Sequence, residues 1–296
     1  MKRSWGFIIT IVLLFFFFFM AMLGYLAKSD NSMGLAAMTG RKKIAIANIY
    51  GVFTTQHSDR ILKILHRYRE DDSIAAVVLR IDSGGGGVAA AQELMAEVIK
   101  LRAAGKKVVV SMGEVAASGG YYVACAADRI FANPGTLTGS IGVIMEVPNL
   151  ELVFEKIGLG SQVVKSGKYK DIASAKRTMT SDERDLLQGM IDDVYEQFVE
   201  AISQGRSLPL AEVKQYADGR VFSGRKALEY GLIDELGDLD DAVKAAGRLA
   251  GLGEKPSVIK DELRRGIFIP LPGVEGWFDR LIGQAPSGVR LGYIFR

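Results

Sequence analysis

The sequence predicts an α/β fold built on a mostly parallel sheet. Short apolar segments at residues 44–49, 74–81 and 108–110 are typical of buried strands, and segments with helical spacing follow the first two. Strands that alternate with helices along the chain favour βαβ units. The segment at 74–81 is apolar at nearly every position, which indicates a strand buried on both faces.

The remaining elements follow at short intervals along the chain. Residues 58–70 have apolar positions at helical spacing. Thr180 or Ser181 can cap a helix over residues 180–205, with Glu183 near the capping-box position. Further strands are expected at 129–132 and 162–165, and further helices at 88–104, 121–127, 150–157, 223–230 and 238–250.

Composition limits the classes of protein that the chain can belong to. Its 296 residues allow one large domain or two modest ones, and 49% apolar residues are enough for a real core. The net charge is +3 without a long basic stripe, which disfavours nucleic acid as a partner. Cys125 is the single cysteine, so no disulfide can form within the chain.

An apolar segment near the N-terminus predicts a membrane anchor. Residues 5–27 carry no charge, and a helix of that length crosses a hydrocarbon core of roughly 30 Å. Because the apolar region of a cleaved signal peptide is about 7–15 residues long, we favour an anchor that is retained. Basic residues flank the segment on both sides, so charge does not decide its orientation. The predicted organisation is a flank at 1–4, the anchor at 5–27, a linker at 28–42, a main domain at 43–250 and a tail at 251–296.

Two segments are candidates for chemistry. Ser118 precedes Gly119 and Gly120 at a predicted strand-to-helix junction, where a hydroxyl can lie beside free backbone N–H groups. Capping of the helix is the alternative role for this serine. The four glycines at 84–87 could cradle a phosphate, supply an oxyanion-binding N–H or form only a tight turn. They match neither G-x-G-x-x-G nor the P-loop motif.

A serine nucleophile needs a general base, and the chain offers few imidazoles. His57 and His66 lie in or beside one predicted helix, and no G-x-S-x-G motif surrounds Ser118, so a Ser-His-Asp triad is disfavoured. A lysine base must be neutral, which requires a pKa lowered from about 10.4 to about 7–8. Composition does not choose among the clustered candidates Lys165, Lys168, Lys170 and Lys176. Because a carboxylate raises the pKa of a lysine that it pairs with, we expect Asp171 to point away from Lys170.

Three motifs occur in order along the chain. They are A-A-S-G-G-Y-Y at 116–122, T-G-S-I-G at 138–142 and K-S-G-K-Y-K-D at 165–171. Together they resemble the signal peptide peptidase A or protease IV family of membrane-anchored serine proteases, over about residues 43–250. The chain resembles the shorter, single-repeat members. The resemblance implies a ClpP/crotonase-like spiral of ββα units, preceded by one N-terminal transmembrane helix.

The resemblance also implies roles for individual residues. Ser118 would be the nucleophile and Lys170 the general base of a Ser-Lys dyad. Ser140 would position the lysine, and the N–H groups of Gly85 and Gly119 would bind the oxyanion. At the turn after the second predicted strand the family usually reads S-P-G-G, whereas this chain reads S-G-G-G at residues 83–86 and has Gly84 in place of the proline.

The resemblance finally implies a setting and a substrate. Short family members are ring-shaped oligomers outside the cytoplasmic membrane, with serine and lysine supplied by neighbouring subunits. We therefore expect a homo-oligomeric serine endopeptidase, anchored in the cytoplasmic (inner) membrane with its catalytic domain on the outer side. It would degrade hydrophobic remnant signal peptides without a metal or cofactor. The alternatives are a crotonase-like acyl-CoA enzyme and a non-catalytic membrane scaffold of the same fold.

Overall fold

The computed structural model describes residues 15–16, 18–20, 42–260 and 291–294. The chain divides into two compact units, Met1–Lys42 and Lys43–Arg296. Of the first unit, residues 15–16 and 18–20 are helical and exposed. The predicted anchor at 5–27 otherwise lies outside the described residues. Within the described part of the chain, no helix combines the length and apolar character needed to cross a bilayer.

A mostly parallel sheet forms the centre of the second unit. The described strands are β1 (Lys43–Tyr50), β2 (Ile74–Ser83), β3 (Gly85–Gly87), β4 (Lys107–Ala117), β5 (Arg129–Ala132), β6 (Leu137–Gly139), β7 (Ile144–Met145), β8 (Val221–Ser223), β9 (Glu235–Leu236), β10 (Val258–Lys260) and β11 (Leu291–Ile294). The large sheet has the order β10-β1-β2-β4-β5-β9, with β6 beside β4 and β8 beside β6. Its strands pair in parallel except β6 and β8. The predicted α/β class is confirmed.

Helices cover both faces of this sheet. They are α1 (Thr55–Glu70), α2 (Val88–Ala103), α3 (Gly119–Ala124), α4 (Glu151–Lys156), α5 (Ser181–Arg206), α6 (Leu210–Tyr216), α7 (Gly224–Glu229) and α8 (Leu239–Leu249). Alternate residues of β2 enter different cores: Val77 and Leu79 belong with residues of α1 and α2. Ala76 and Val78 belong with residues of α8. The prediction that this strand is buried on both faces is therefore confirmed.

Several predicted elements differ from the structure. The strand expected at 162–165 is wrong, because these exposed residues pair with no other strand. The glycine run contains β3 rather than only a turn, and the sequence patterns do not predict α6. Helix α1 begins at Thr55, capped by the Thr54 side chain, so His57 lies within the helix rather than before it.

A second, smaller sheet joins the C-terminal strand β11 to two strands from earlier in the chain. It has three antiparallel strands in the order β3-β11-β7. Strand β11 therefore has a neighbour on each side, the glycine strand β3 and the short strand β7.

The segment between α4 and α5 is held by ion pairs at the start of α5. Thr180 and Glu183 form the predicted capping box, in which Glu183 accepts a hydrogen bond from the Thr180 N–H at 3.0 Å. Arg177 donates to the same Glu183 carboxylate at 2.8 Å and to Asp171 at 3.0 Å. The Arg177 guanidinium lowers the pKa of Glu183 to about 2. The Glu183 carboxylate therefore caps the N-terminus of α5 and also binds the segment before it through Arg177.

We predict that Glu183→Gln destabilises the protein at neutral pH and not in acid. A carboxylate with a lowered folded-state pKa contributes stability above its ordinary pKa of about 4.3. That contribution is lost as the pH falls through about 2. Urea unfolding of the full chain in detergent should show a difference between variant and wild type at pH 7 that shrinks steadily below about pH 4.3.

Asp182→Asn is the control, because Asp182 is exposed and pairs with the exposed Lys168. It should change the unfolding midpoint much less than Glu183→Gln does, since exposed ion pairs contribute about 0–1 kcal/mol. A Glu183→Gln defect of the same size at pH 7 and pH 3 would argue against the ion pair as the cause.

Candidate active site

Ser118 lies between β4 and α3 in a backbone conformation that residues other than glycine rarely adopt. Its φ is 53° and its ψ is −119°. The Ser118 N–H donates to the Gly139 carbonyl at 2.8 Å, and its own carbonyl accepts from the Tyr122 N–H at 2.9 Å. Such a conformation costs of order 1–3 kcal/mol and persists only where the surroundings impose it. These two bonds impose it here.

The Ser118 hydroxyl forms no hydrogen bond to the helix that follows, α3. The residue is 1% exposed, and its Oγ has no hydrogen-bond partner among the described residues. It does not cap α3, so the capping role is not realised. A buried hydroxyl without a partner costs about 1–3 kcal/mol. A strained and unsatisfied serine is typical of a reaction site rather than of a structural cap.

Close packing fixes helix α3 against the end of β2. A Cβ on Gly120 would lie 2.7 Å from the Ser83 carbonyl oxygen, so only glycine allows this approach. The Tyr121 hydroxyl, fully buried, donates to the Leu232 carbonyl at 2.7 Å. Ser118 is therefore held between the paired end of β4 and the closely packed helix α3.

Ser140 occupies the equivalent place on the neighbouring strand. Strands β4 and β6 pair in parallel with Ala117 opposite Gly139, so Ser118 and Ser140 each follow a paired residue. Ser140 also has a positive φ, 50°, and its N–H donates to the Arg220 carbonyl at 2.8 Å. The structure thus brings together two serines that are 22 residues apart in the sequence. An open pocket of about 410 Å³ lies beside Ser140 and is lined also by Val143, Ile144, Tyr195, Asp192 and Asp218.

One of the four clustered lysines has an ammonium group that forms no ion pair or hydrogen bond with a described residue. Lys165 pairs with Asp171, Lys168 pairs with Asp182, and Lys176 donates to Ser161 at 3.3 Å. Lys170 is exposed and its ammonium makes no ion pair or hydrogen bond to any residue that the structure describes. This difference separates Lys170 from three lysines that composition alone does not distinguish.

Asp171 is directed away from Lys170, as expected. Its carboxylate binds Arg177 at 3.0 Å and also Lys165. These two cations hold the pKa of Asp171 well below its usual range, with the hydrogen bond from Arg177 as the largest cause. The Lys170 ammonium is therefore free of this carboxylate.

Ser118 and Lys170 do not meet within one chain. The Ser118 hydroxyl is buried and unpartnered among the described residues, whereas the Lys170 side chain is exposed. Any contact between the two must come from another copy of the chain or from a rearrangement.

The peptide planes of the glycine strand have a fixed direction. The Phe53 N–H donates to the Gly85 carbonyl at 2.9 Å, and the Gly87 N–H donates to the Phe53 carbonyl at 2.8 Å. In planar trans peptides the N–H and C=O groups point in opposite directions, and no described peptide bond is cis. The N–H and C=O groups of Gly86 therefore point away from Phe53, to the edge of β3 that pairs with β11.

This geometry changes the expected oxyanion donor on the strand. The N–H of Gly85, the predicted donor, already donates to the Ser83 Oγ at 3.0 Å. The Gly86 N–H faces the side of β3 on which the extended strand β11 pairs, and a Cβ at this position would lie 2.4 Å from the Phe53 carbonyl oxygen. On the helix side, Gly119 is the first residue of α3, where N–H groups have no partner within the helix. Gly86 and Gly119 are thus the better placed pair of donors.

Two further observations concern the single cysteine and possible metal ligands among the described residues. Burial raises the pKa of the Cys125 thiol to about 12, so this cysteine holds no reactive thiolate at neutral pH. Among residues 42–260, no group of three or more histidine, cysteine, aspartate or glutamate side chains is placed to hold a metal ion. A second pocket, of about 240 Å³, adjoins β7 and is lined by both apolar and polar side chains, namely Met145, Val147, Met179, Arg184, Leu187, Gln188 and Ile191.

Comparisons with known proteins identify the family. The sequence profile of peptidase family S49 matches residues 100–253. The chain is 45% identical over 212 residues to slr0021 of Synechocystis sp., a protein named for an inferred protease activity, and the match covers 72% of this chain and 76% of that protein. It is 35% identical to protease 4 of Haemophilus influenzae, over 73% of this chain and 36% of that protein. It is 36% identical to the chloroplastic serine protease SPPA of Arabidopsis thaliana, over 76% of this chain and 35% of that protein.

The matched regions contain the three motifs and the buried serine. The two longer relatives are matched over about a third of their length, so the chain corresponds to part of each. Membership of a protease family leaves no support for the acyl-CoA enzyme or the non-catalytic scaffold. The chain belongs to peptidase family S49, the family of protease 4 and SppA, and is a serine-type protease.

Proposed function

We propose that this protein is a membrane-anchored endopeptidase in which Ser118 is the nucleophile and Lys170 of a neighbouring subunit is the general base. The observation that carries the proposal is the buried, unpartnered hydroxyl of Ser118, held in a strained conformation beside a glycine strand. The arrangement is proposed to be the ClpP/crotonase-like spiral that the sequence motifs imply.

The proposed reaction is acyl transfer in two halves. The Ser118 Oγ attacks the peptide carbonyl while the neutral Lys170 amine accepts its proton. The N–H groups of Gly86 and Gly119 bind the oxyanion, with Gly86 in the role predicted for Gly85. The proton passes to the departing amine, and water then hydrolyses the ester to restore Ser118. Ser140, adjacent to Ser118, accepts a hydrogen bond from the lysine and orients it.

A neighbouring copy is the proposed source of the lysine. The segment that leads to Lys170 exposes large apolar side chains, namely Leu152, Val153, Ile157, Leu159, Val163 and Val164. A concentration of exposed apolar side chains is typical of an interaction surface. The pocket beside Ser140 has the apolar side chains Val143 and Ile144 in its lining, which suit such a segment. A homo-oligomeric ring would bury the apolar surface and bring Lys170 to the next subunit's Ser118.

The proposed substrates are hydrophobic remnant signal peptides at the outer side of the cytoplasmic membrane. The apolar side chains in the pocket beside β7, which include Met145, Leu187 and Ile191, suit an apolar side chain of an extended peptide. An anchor at residues 5–27 would hold the site near peptides that remain in the bilayer, which raises their effective concentration.

We predict that mixing two inactive variants restores activity. Ser118→Ala and Lys170→Ala should each lower the cleavage of a synthetic signal peptide by about 10³-fold or more. If the dyad joins neighbours, subunits mixed one to one and reassembled regain about a quarter of the wild-type sites, because each site needs an intact serine and an intact neighbouring lysine. Peptide cleavage is measured by mass spectrometry before and after reassembly.

Lys170→Arg is the matched control, because arginine keeps the charge and length but stays protonated. It should be inactive alone and should restore nothing when mixed with Lys170→Ala. Mixed Ser118→Ala and Lys170→Ala rings that remain inactive, although assembled, would contradict a dyad shared between subunits.

We predict that the pocket beside β7 sets substrate preference through its apolar side chains. Leu187→Ser removes apolar surface from the pocket and should lower kcat/KM for an apolar peptide about tenfold, as expected for the loss of roughly 1.5 kcal/mol. Leu186→Ser is the matched control, since Leu186 is 49% exposed and does not line the pocket. Equal losses in the two variants would exclude the pocket as a specificity determinant.

A further inference from the structure

The side chain of Ser83 joins two segments that meet beside the glycine strand β3. Ser83 is the last residue of β2 and is 2% exposed. Its hydroxyl donates to the Gly51 carbonyl at 2.6 Å and accepts from the Gly85 N–H at 3.0 Å. Gly51 belongs to the loop between β1 and α1, and Gly85 begins β3. One hydroxyl, which has one proton and two lone pairs, therefore connects that loop to the glycine strand.

Phe53 makes a second connection between the same two segments. Its N–H donates to the Gly85 carbonyl, and its carbonyl accepts from the Gly87 N–H. These bonds leave the N–H of Gly85 to the Ser83 hydroxyl. The Gly86 N–H shares a peptide plane with the Gly85 carbonyl, so its direction depends on how the backbone of Gly85 is held at both ends.

The backbone of β3 does not fix this direction by itself. The φ of Gly85 is 96°, and glycine populates positive and negative φ values about equally. At the turn before β3 the family usually has a proline, whose ring fixes φ. This chain has Gly84 in that place, so the turn lacks the constraint of the ring. The Ser83 hydroxyl is a constraint that the turn retains.

We propose that Ser83 is a positioning residue of the active site, whose hydroxyl holds the glycine strand so that the Gly86 N–H faces the oxyanion. The proposal rests on the proposed function, because it takes Gly86 as an oxyanion donor. Such donors act from positions that are fixed before the reaction. The Ser83 carbonyl also packs against Gly120 of α3, the helix that carries the second proposed donor, Gly119. Ser83 thus contacts the elements that carry both donors.

Loss of the hydroxyl should impair the chemical step more than peptide binding. Ser83→Ala leaves the Gly85 N–H without its acceptor and allows the glycine backbone to turn. We expect kcat for a synthetic signal peptide to fall about 30-fold, which is less than the roughly 10²–10³-fold loss on removal of an oxyanion donor. We expect KM to stay within about twofold of the parent value, since the lost interaction acts in the transition state. The full chain in detergent is used throughout.

Inhibition by a peptide aldehyde separates oxyanion binding from substrate binding. The Ser118 Oγ adds to the aldehyde carbon, the C=O double bond becomes a C–O⁻ single bond, and the hydroxyl proton passes to the Lys170 amine. Ser83→Ala should weaken this inhibition about 30-fold, because the adduct resembles the transition state. A fluorescein-labelled peptide of the same sequence should bind the Ser118→Ala protein with an affinity that Ser83→Ala changes by less than about twofold, as measured by fluorescence polarisation.

Two further variants distinguish positioning from a general loss of stability. Gly84→Pro, added to Ser83→Ala, should raise kcat about fivefold or more by fixing the turn again. Proline suits this place because Ser83 before it is extended in β2 and the φ of Gly84 is not positive. Ser111→Ala is the matched control, since Ser111 is fully buried in β4 and accepts a hydrogen bond from Arg80 at 2.8 Å. It should lower the urea midpoint of unfolding and leave kcat within about twofold.

The contradicting results are equally specific. Parent values of kcat and aldehyde affinity in Ser83→Ala would overturn the proposal, and so would equal losses of kcat in Ser83→Ala and Ser111→Ala. A loss that Gly84→Pro does not reverse would count against the direction of the backbone as its cause.

Failure of the proposed function has a different signature. The parent protein, with Ser118 and Ser83 intact, would then neither cleave the peptide nor bind the aldehyde more tightly than its Ser118→Ala variant does. An active parent whose kcat is unchanged by Ser83→Ala would contradict the role of Ser83 and leave the proposed protease mechanism standing.

Discussion

The end of β4 holds Ser118 in a conformation from which its hydroxyl finds no hydrogen-bond partner in the described part of its own chain. The parallel pairing of β4 with β6 imposes this conformation through the bond from the Ser118 N–H to Gly139. The same pairing brings Ser140 alongside. Strain and an unsatisfied buried hydroxyl each cost of order 1–3 kcal/mol, so the fold retains a destabilised residue at this point. This strained residue is the proposed nucleophile.

The segment that carries Lys170 is exposed and is held by ion pairs, whereas Ser118 is buried and its hydroxyl has no partner among the described residues. Arg177 ties it to the start of α5 through Glu183, and Lys165 and Lys168 are each engaged by a carboxylate. Lys170 alone of the four candidates keeps its ammonium unengaged by any described residue. A rigid frame around one free lysine suits a base that is delivered to another subunit, because the frame fixes its position before assembly. The exposed apolar side chains of the same segment supply the surface on which assembly would proceed.

Local patterns predicted the parts of the fold that depend on local interactions. The apolar runs located β1, β2 and β4, and the Thr180 capping box located the start of α5. The direction of the Gly86 N–H was beyond the sequence, because Phe53 sets the direction of those peptide planes from more than thirty residues away. Strand β11 could not be predicted from the sequence either, because these four residues form a strand only by pairing with β3 and β7, which are distant in the chain. The apolar pair Val163 and Val164 suggested a strand, but no neighbouring strand exists in the described chain to pair with it.

The most direct measurement is an electron cryomicroscopy structure of the assembled protein in detergent at side-chain resolution. A dyad shared between subunits predicts the Lys170 Nζ of one subunit within hydrogen-bond distance, about 3 Å, of the Ser118 Oγ of its neighbour. An assembly in which no lysine approaches Ser118 would contradict a Ser-Lys mechanism for this chain.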